Sequence, residues 1–428
     1  MPSLSAELLS LGLLGLGLAS VFLLVVRRSP RTGAVVWLLV VALVPIWVSV
    51  TVVVGWSSVS VVGMALVAGL LLSGHLPRHW NVGDLLFGAL FVVSVAPAAL
   101  GVMGISSLFG VLSIWVVGWL VGRLLGSTVG ASWLSSAVAV VFAVVAVLAL
   151  LEFVTGWHGL SEWGPSNSAR AAWSRIQGRG GLERSEGAFG HSIALGCSLA
   201  MAMVLTLQAR FRPAVRLILV VVMLAGAAVT MSRVSVLCSL LGLGLAVLFS
   251  RSAAVREVRR GLVVVLVVGG VVAALLAQSV YARAGAELEG SASYRGNLIP
   301  LLQQVQLLGP SPAMQRAADG TLYFGSFRSI DSQLILFGIS YGGLTLLLVL
   351  ALLAVGAVLV LTRRASLATI AVVAQVPALA TVALITQYAH LTWFVAGLAI
   401  AMATEPAAPT LRADEDQQRA STRTRGVG

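Results

Sequence analysis

Lysine is absent from this chain, and all 27 basic residues are arginine. That excludes a Walker-type phosphate loop and any Schiff-base lysine. Charge of either sign is scarce, at 10% of 428 residues. Cysteine is nearly missing: Cys197 and Cys238 both lie inside apolar runs, with neither metal-ligand spacing nor a disulfide pattern, and read as packing residues. Glu-x-x-His spacing does not occur, so a zinc-protease reading has no support.

What is present in excess is apolar surface. The chain is 59% hydrophobic, and its mean hydropathy of +1.01 lies far above that of a soluble domain. Apolar runs near twenty residues in length recur throughout, which is the signature of transmembrane helices. The expected fold is all-α, a polytopic transmembrane helical bundle, because a helix satisfies its own backbone in lipid. The twenty-residue criterion yields about 13 spans, within a range of about 12–14. They fall near 5–26, 34–54, 57–73, 84–101, 107–124, 133–151, 191–209, 217–231, 234–249, 261–279, 331–361, 366–386 and 390–404. The run 331–361 is long enough for a tilted helix with an interfacial end.

Loop charge sets the expected orientation. No basic residue precedes the first apolar run, and Arg27 and Arg28 follow it, as in a retained, reverse-oriented anchor. Counted through the spans, Arg31, Arg78, Arg123, Arg210, Arg212, Arg216, Arg251, Arg256, Arg259, Arg260, Arg363 and Arg364 fall on that same side. By the positive-inside rule this side is the cytoplasm, with the amino terminus outside and the carboxyl terminus inside. Residues 1–404 then form one transmembrane domain. Residues 405–428 form a charged tail expected to be disordered and cytoplasmic. Asp414-Glu-Asp416 in that tail spells an Asp-x-Asp pattern but reads as solvated charge. The net charge of +12 suits contact with anionic lipid headgroups. Arginines scattered between apolar spans do not make a nucleic-acid surface.

The opposite face is expected to carry two long loops, 152–190 and 280–330, holding eight arginines. Arg233 is the one basic residue in its short loops. Long loops are exempt from the charge rule, so their arginines are free for function. The first loop also holds Trp157, His158, Trp163 and Trp173; such tryptophans read first as interface anchors and second as sugar-stacking surfaces. In the second, Leu298 to Leu308 alternates apolar residues and glutamines at helical spacing, the pattern of a short helix on the membrane surface, stopped by Gly309-Pro-Ser-Pro312.

One stretch organises the rest: Arg184-Ser-Glu-Gly-Ala-Phe-Gly-His-Ser-Ile-Ala-Leu-Gly196, where a charged, glycine-studded loop runs into an apolar helix. Beside it stand Thr230-Met-Ser-Arg233 between two spans, and the series Tyr294-Arg295, Leu308-Gly309, Asp331-Ser332 and Gly342-Gly-Leu-Thr345. In this order the segments resemble the O-antigen ligase and polysaccharide polymerase family of bacterial envelope proteins, over about residues 150–400. Val234 stands where the family's Ser-Arg turn usually has glycine. Asp331 stands where its ligases have histidine, which leaves polymerase or another glycan transfer more open than strict ligase activity. Arg170 to Gly181 and Arg179 to Gly190 fit an Arg-x10-Gly spacing described for the polymerases.

The resemblance implies transfer of a glycan from a polyprenyl-diphosphate carrier to a glycan or lipid acceptor, on the extracytoplasmic face of the bacterial cell (inner) membrane. It implies no cofactor, no metal and no ATP. The diphosphate leaving group needs fixed positive charge, and arginine's planar fork suits it. Arg184, Arg233 and Arg295 are the candidate diphosphate-binding residues. Asp331, Glu186 and His191 are the candidate catalytic groups, with Asp331 first. Each has a structural alternative: Asp331 as a helix cap, Glu186 as a partner of Arg184, His191 as a helix-start residue. The competing function is a lipid-linked oligosaccharide flippase or another polytopic transporter. Few ionisable residues within the spans and long loops on one side favour one-sided chemistry over alternating access.

Overall fold

The computed structural model describes residues 17, 20–51, 53–77, 79–179, 181–281, 296, 298–316, 322–325, 327 and 329–404. Arg295, most of the first apolar run and the tail 405–428 lie outside these described residues. The described residues form a helical bundle with three short hairpins. Helices α1 (20–28), α2 (Pro30–Leu43) and α3 (Ser58–Leu72) are separated by the hairpin β1 (Ser49–Thr51) and β2 (Gly55–Ser57). Then come α4 (Val82–Ala99), α5 (Ile105–Gly110), a π-helical turn (Val111–Val116), α6 (Val117–Val129) and α7 (Ala131–Thr155). The following loop holds α8 (Gly159–Glu162), α9 (Ser168–Trp173) and the hairpin β3 (Gly178–Arg179) and β4 (Leu182–Glu183). Next are α10 (Ser192–Thr206), α11 (Pro213–Val229), α12 (Arg233–Phe249) and α13 (Ala253–Tyr281). A third hairpin, β5 (Met314–Arg316) and β6 (Leu322–Phe324), precedes α14 (Gln333–Tyr341), α15 (Gly343–Leu361), α16 (Leu367–Val373), α17 (Val376–Thr381) and α18 (Thr386–Thr404).

Short polar residues start many of these helices. Ser29, Ser57, Asn81, Asn167, Ser232, Ser332 and Ser366 each accept a hydrogen bond from a backbone N–H in the first turn of the helix that follows. This satisfies donors that a helix start otherwise leaves open.

Among the described residues, five helical stretches are long and apolar enough to cross a membrane: Val82–Ala99, Ile105–Val129, Ala131–Thr155, Ala253–Leu275 and Gly343–Leu361. All five carry large apolar side chains on their exposed faces. On α13, Val263, Val264, Val267, Val268, Val271, Val272 and Leu275 all point away from the protein. Hiding one such side chain from water is worth about 1.5–3 kcal/mol, so this face suits lipid. Helix α10 is the opposite case: every residue in it except Ile193 is buried. It stands at the centre, packed by α7, α11, α12, α16 and α18.

The closest helix pair is α6 with α18. A Cβ on Gly122 would lie 1.9 Å from the carbonyl oxygen of Phe394, and one on Gly397 would lie 2.0 Å from that of Trp119. The two backbones touch because neither position has a side chain. The residue after Gly122, Arg123, is fully buried and forks onto Asp84, with Nε to Oδ1 at 2.8 Å and Nη2 to Oδ2 at 3.1 Å, and donates to the His79 carbonyl. Asp84 also completes a capping box with Asn81, so this charge pair locks α6 to the start of α4.

Several elements differ from the periodicity reading. The run 331–361 is two helices, because Gly342 adopts φ 103° and ψ 163° and ends α14. The run 366–386 is broken into α16 and α17, followed by a non-helical stretch, 382–385. The span 34–54 is a helix only to Leu43, just before Pro45, and continues into a hairpin. The amphipathic stretch 298–308 forms only a 3₁₀ turn, Ile299–Gln304, with Pro300 at its start. Leu298 and Leu301 are buried there with Phe324, Ile330 and Ile339. Hydropathy registers apolar content; it does not register where a proline or a positive-φ glycine interrupts the hydrogen-bond ladder.

Candidate functional site

The site grows from the loop between α7 and α10. Trp47, from the segment after α2, straps it: its Nε1 donates to the Trp163 carbonyl at 2.6 Å, and its own carbonyl accepts from Asn167 at 2.9 Å. Arg170 holds the loop from within, donating to the carbonyls of Ser161 and Gly164. Trp157 and Trp163 are exposed, as an interfacial or a sugar-stacking role both require.

The segment Arg184 to Gly190 then folds under the bundle's surface. Gly187 and Gly190 adopt positive φ, 53° and 61°. A Cβ at Gly190 would strike the Trp173 carbonyl oxygen at 2.5 Å and the Trp47 ring at 2.6 Å, so this position admits only glycine. Phe189 is fully buried in the central core and anchors the segment. Ser185 Oγ donates to the Ala149 carbonyl at 2.7 Å.

Arg184 is buried. Its Nε donates to the Thr230 carbonyl at 2.8 Å, and its Nη1 to Gln177 Oε1 at 3.2 Å. Ser192, at the start of α10, donates to the same Gln177 oxygen at 3.1 Å. Arg179, on β3, donates to the Met231 carbonyl at 2.8 Å. Met231 is itself in the left-handed region, φ 49°, a strained conformation for such a side chain. Two arginines thus grip the turn 230–232. Arg233 is the next residue, exposed, and opens α12.

Carboxylates crowd beside this turn. Glu186 is 4% exposed, and its Oε1 accepts from the Gln177 backbone N–H at 3.0 Å. Burial pushes its carboxyl up from 4.5 to about 7; the Gln177 N–H and Arg184 pull against that, Glu152 adds to it, and His158 opposes it. Such a group is poised to exchange a proton near neutrality. Glu152, near the end of α7, accepts from the backbone N–H groups of Glu186 and Gly187 at 3.2 and 3.0 Å. His158 lies between Glu152 and Glu183, its two ring nitrogens 2.6 and 3.1 Å from their carboxylate oxygens.

His191 is the N-cap of α10, with Nδ1 accepting from the Ile193 N–H at 3.2 Å. Burial and then Arg184 bring it down from 6.5 to about 4, so it is a neutral capping ring at physiological pH. Its structural alternative is what the geometry displays. Asp331 is exposed and accepts from Ser329 at 3.2 Å; Ser332, not Asp331, caps α14. The structure brings Arg184, Glu186, His191 and the Arg233 turn together. Two residues after Asp331, Gln333 accepts from the Leu384 N–H, and Gln387, a few residues beyond Leu384, donates to the carbonyls of Val44 and Ala188. Gly338-Ile-Ser-Tyr-Gly342 matches a Gly-x-Ser-x-Gly pattern. It lies in the last turns of α14 and the break after it, without the strand-to-helix elbow that the hydrolase nucleophile needs. Among the described residues, no group of three or more His, Cys, Asp or Glu side chains is placed to hold a metal ion.

Sequence reading passed over Glu152, Gln177 and Glu183, and gave His158 no role. One signal was available: Glu152 is the only charged residue in the 25-residue apolar helix α7, and an ionisable group in such a helix is a functional hypothesis by default. No family model matches the chain, and no curated protein or solved structure matches it either.

Proposed function

We propose that the protein is a glycosyltransferase of the bacterial cell membrane, transferring or polymerising a glycan carried on a polyprenyl diphosphate. In this reading it has about 13 spans, and its loops 152–190 and 280–330 lie on the extracytoplasmic face. One observation carries the reading. Arg179 and Arg184 fix a turn that opens into exposed Arg233, and a buried carboxyl that titrates near neutrality sits next to them.

The acceptor hydroxyl oxygen attacks the anomeric carbon of the donor sugar. The bond from that carbon to the phosphate oxygen breaks, and polyprenyl diphosphate departs with the electron pair. Arg233, with Arg295 of the second loop, receives the charge growing on the leaving oxygens. Arg184 holds the turn that aims Arg233. Glu186 takes the hydroxyl proton, with Asp331 the second candidate, and His191 fixes the start of α10. The carrier tail lies against the apolar outer surface, in membrane lipid.

The test is turnover of a defined polyprenyl-diphosphate oligosaccharide by the purified protein in lipid. Longer glycan on the carrier marks a polymerase, and glycan on another acceptor marks a ligase. Arg233→Ala is expected to lose about a hundredfold in rate, the usual effect of removing one such donor. Transport of the donor without its consumption would establish the flippase instead. Unchanged turnover in Arg233→Ala, Arg295→Ala, Asp331→Ala and Glu186→Gln would remove the site.

A further inference from the structure

Three side chains next to Glu186 have no part in the reaction just described. Glu152 Oε2 accepts from the Gly187 N–H, and its Oε1 accepts from both the Glu186 N–H and His158 Nδ1. The side chains of Glu152 and His158 are about nine-tenths buried, at 10% and 9% exposure, while Glu183 on the far side of the imidazole is 62% exposed. Burying a carboxylate is costly unless its oxygens are satisfied. Here two of the three bonds that satisfy it come from the backbone of the candidate base and of the residue after it. The groups facing the Glu186 carboxyl are therefore Arg184 and His158, which favour its charged form, and Glu152, which opposes it. His191 and Arg179 belong to the same loop.

We propose that Glu152, backed by His158, is a positioning residue for Glu186: it ties the Glu186–Gly187 backbone to α7 and presents its own negative charge to the Glu186 carboxyl. The proposal rests on the reading of Glu186 as the group that receives the acceptor's proton. The Glu152–His158 pair then acts on Glu186 in two opposed ways. The carboxylate holds the proton on, and the imidazole, placed between two carboxylates, offsets it.

The experiment is an infrared pH titration of the full-length protein in lipid nanodiscs, following the protonated-carboxyl band that Glu186→Gln removes. Glu152→Gln takes away the negative charge, and the Glu186 midpoint is expected to move to lower pH. His158→Gln leaves that charge without its imidazole partner, and the midpoint is expected to move to higher pH. A brace without an electrostatic role would let water reach Glu186 in both variants and move both midpoints down. Two downward shifts, or none, would overturn the proposal. Where Glu152→Gln does not accumulate in the membrane, His158→Gln decides alone, by an upward or a downward shift. No glycan enters this measurement, so full turnover by Glu186→Gln would end the base assignment without altering the outcome for Glu152.

Discussion

Glu186 and His191 lie five positions apart, and burial drives them in opposite senses. It raises the acid to about 7 and lowers the base to about 4, because in both it penalises the charged form. The consequences for stability are opposed as well. Glu186 binds its proton more tightly in the folded chain, so its contribution is fully present below pH 4.5 and is lost as pH rises through about 7. His191 binds its proton less tightly when folded, so its contribution is present above pH 6.5 and is lost as pH falls towards about 4. Over the shared interval the two slopes offset one another. Glu186→Gln mimics the neutral acid and should be more stable than the wild type at pH 8, by up to about 3 kcal/mol. The gain should shrink as pH falls towards 4.5. Thermal melting in detergent at several pH values measures it, and equal melting at pH 8 would place Glu186 in water.

At the scale of elements, glycine decides how closely helices pass. Gly118, Gly122 and Gly126 recur every fourth residue on one face of α6, and Gly397 answers from α18. The atoms a Cβ would meet at Gly122 belong to backbone, and backbone cannot swing aside. Gly122→Ala should therefore destabilise by about 1–3 kcal/mol or more, as overpacking does. Gly88→Ala, on α4 with nothing within 4 Å, should be tolerated. Melting temperature and membrane accumulation compare the two, and equal tolerance would mean that α6 and α18 do not touch as described. The four-residue spacing was readable in the chain, though not its partner helix. The break at Gly342 was readable only as a glycine. That it must be one follows from Leu307 and Gly309, whose backbone atoms lie 2.8–2.9 Å from where its Cβ would stand.

For the whole molecule, the sidedness of the loops is the next quantity to measure. Both native cysteines are buried, so single added cysteines report position without removing them. Ser166→Cys and Ser329→Cys, at exposed positions in the two long loops, should react with a membrane-impermeant maleimide on intact cells. Arg251→Cys should react only after permeabilisation. Labelling of the two loop positions from opposite sides would overturn the proposed orientation and the reaction with it.

The helical class and the apolar outer surface were determined by composition and run length. Hydropathy adds residue by residue, and each helix satisfies its own backbone whatever its neighbours do. The Arg184–Gly196 stretch stood out in the chain for a local reason too, a charged, glycine-bearing loop running into an apolar helix. The partners of its side chains were not visible. Glu152 meets Glu186 across 34 positions, and Arg184 meets Thr230 across 46. Only the folding of the loop back onto α7 and α11 decides those contacts. Burial of Glu186, which places its titration near neutrality, is a property of that enclosure and of no residue alone.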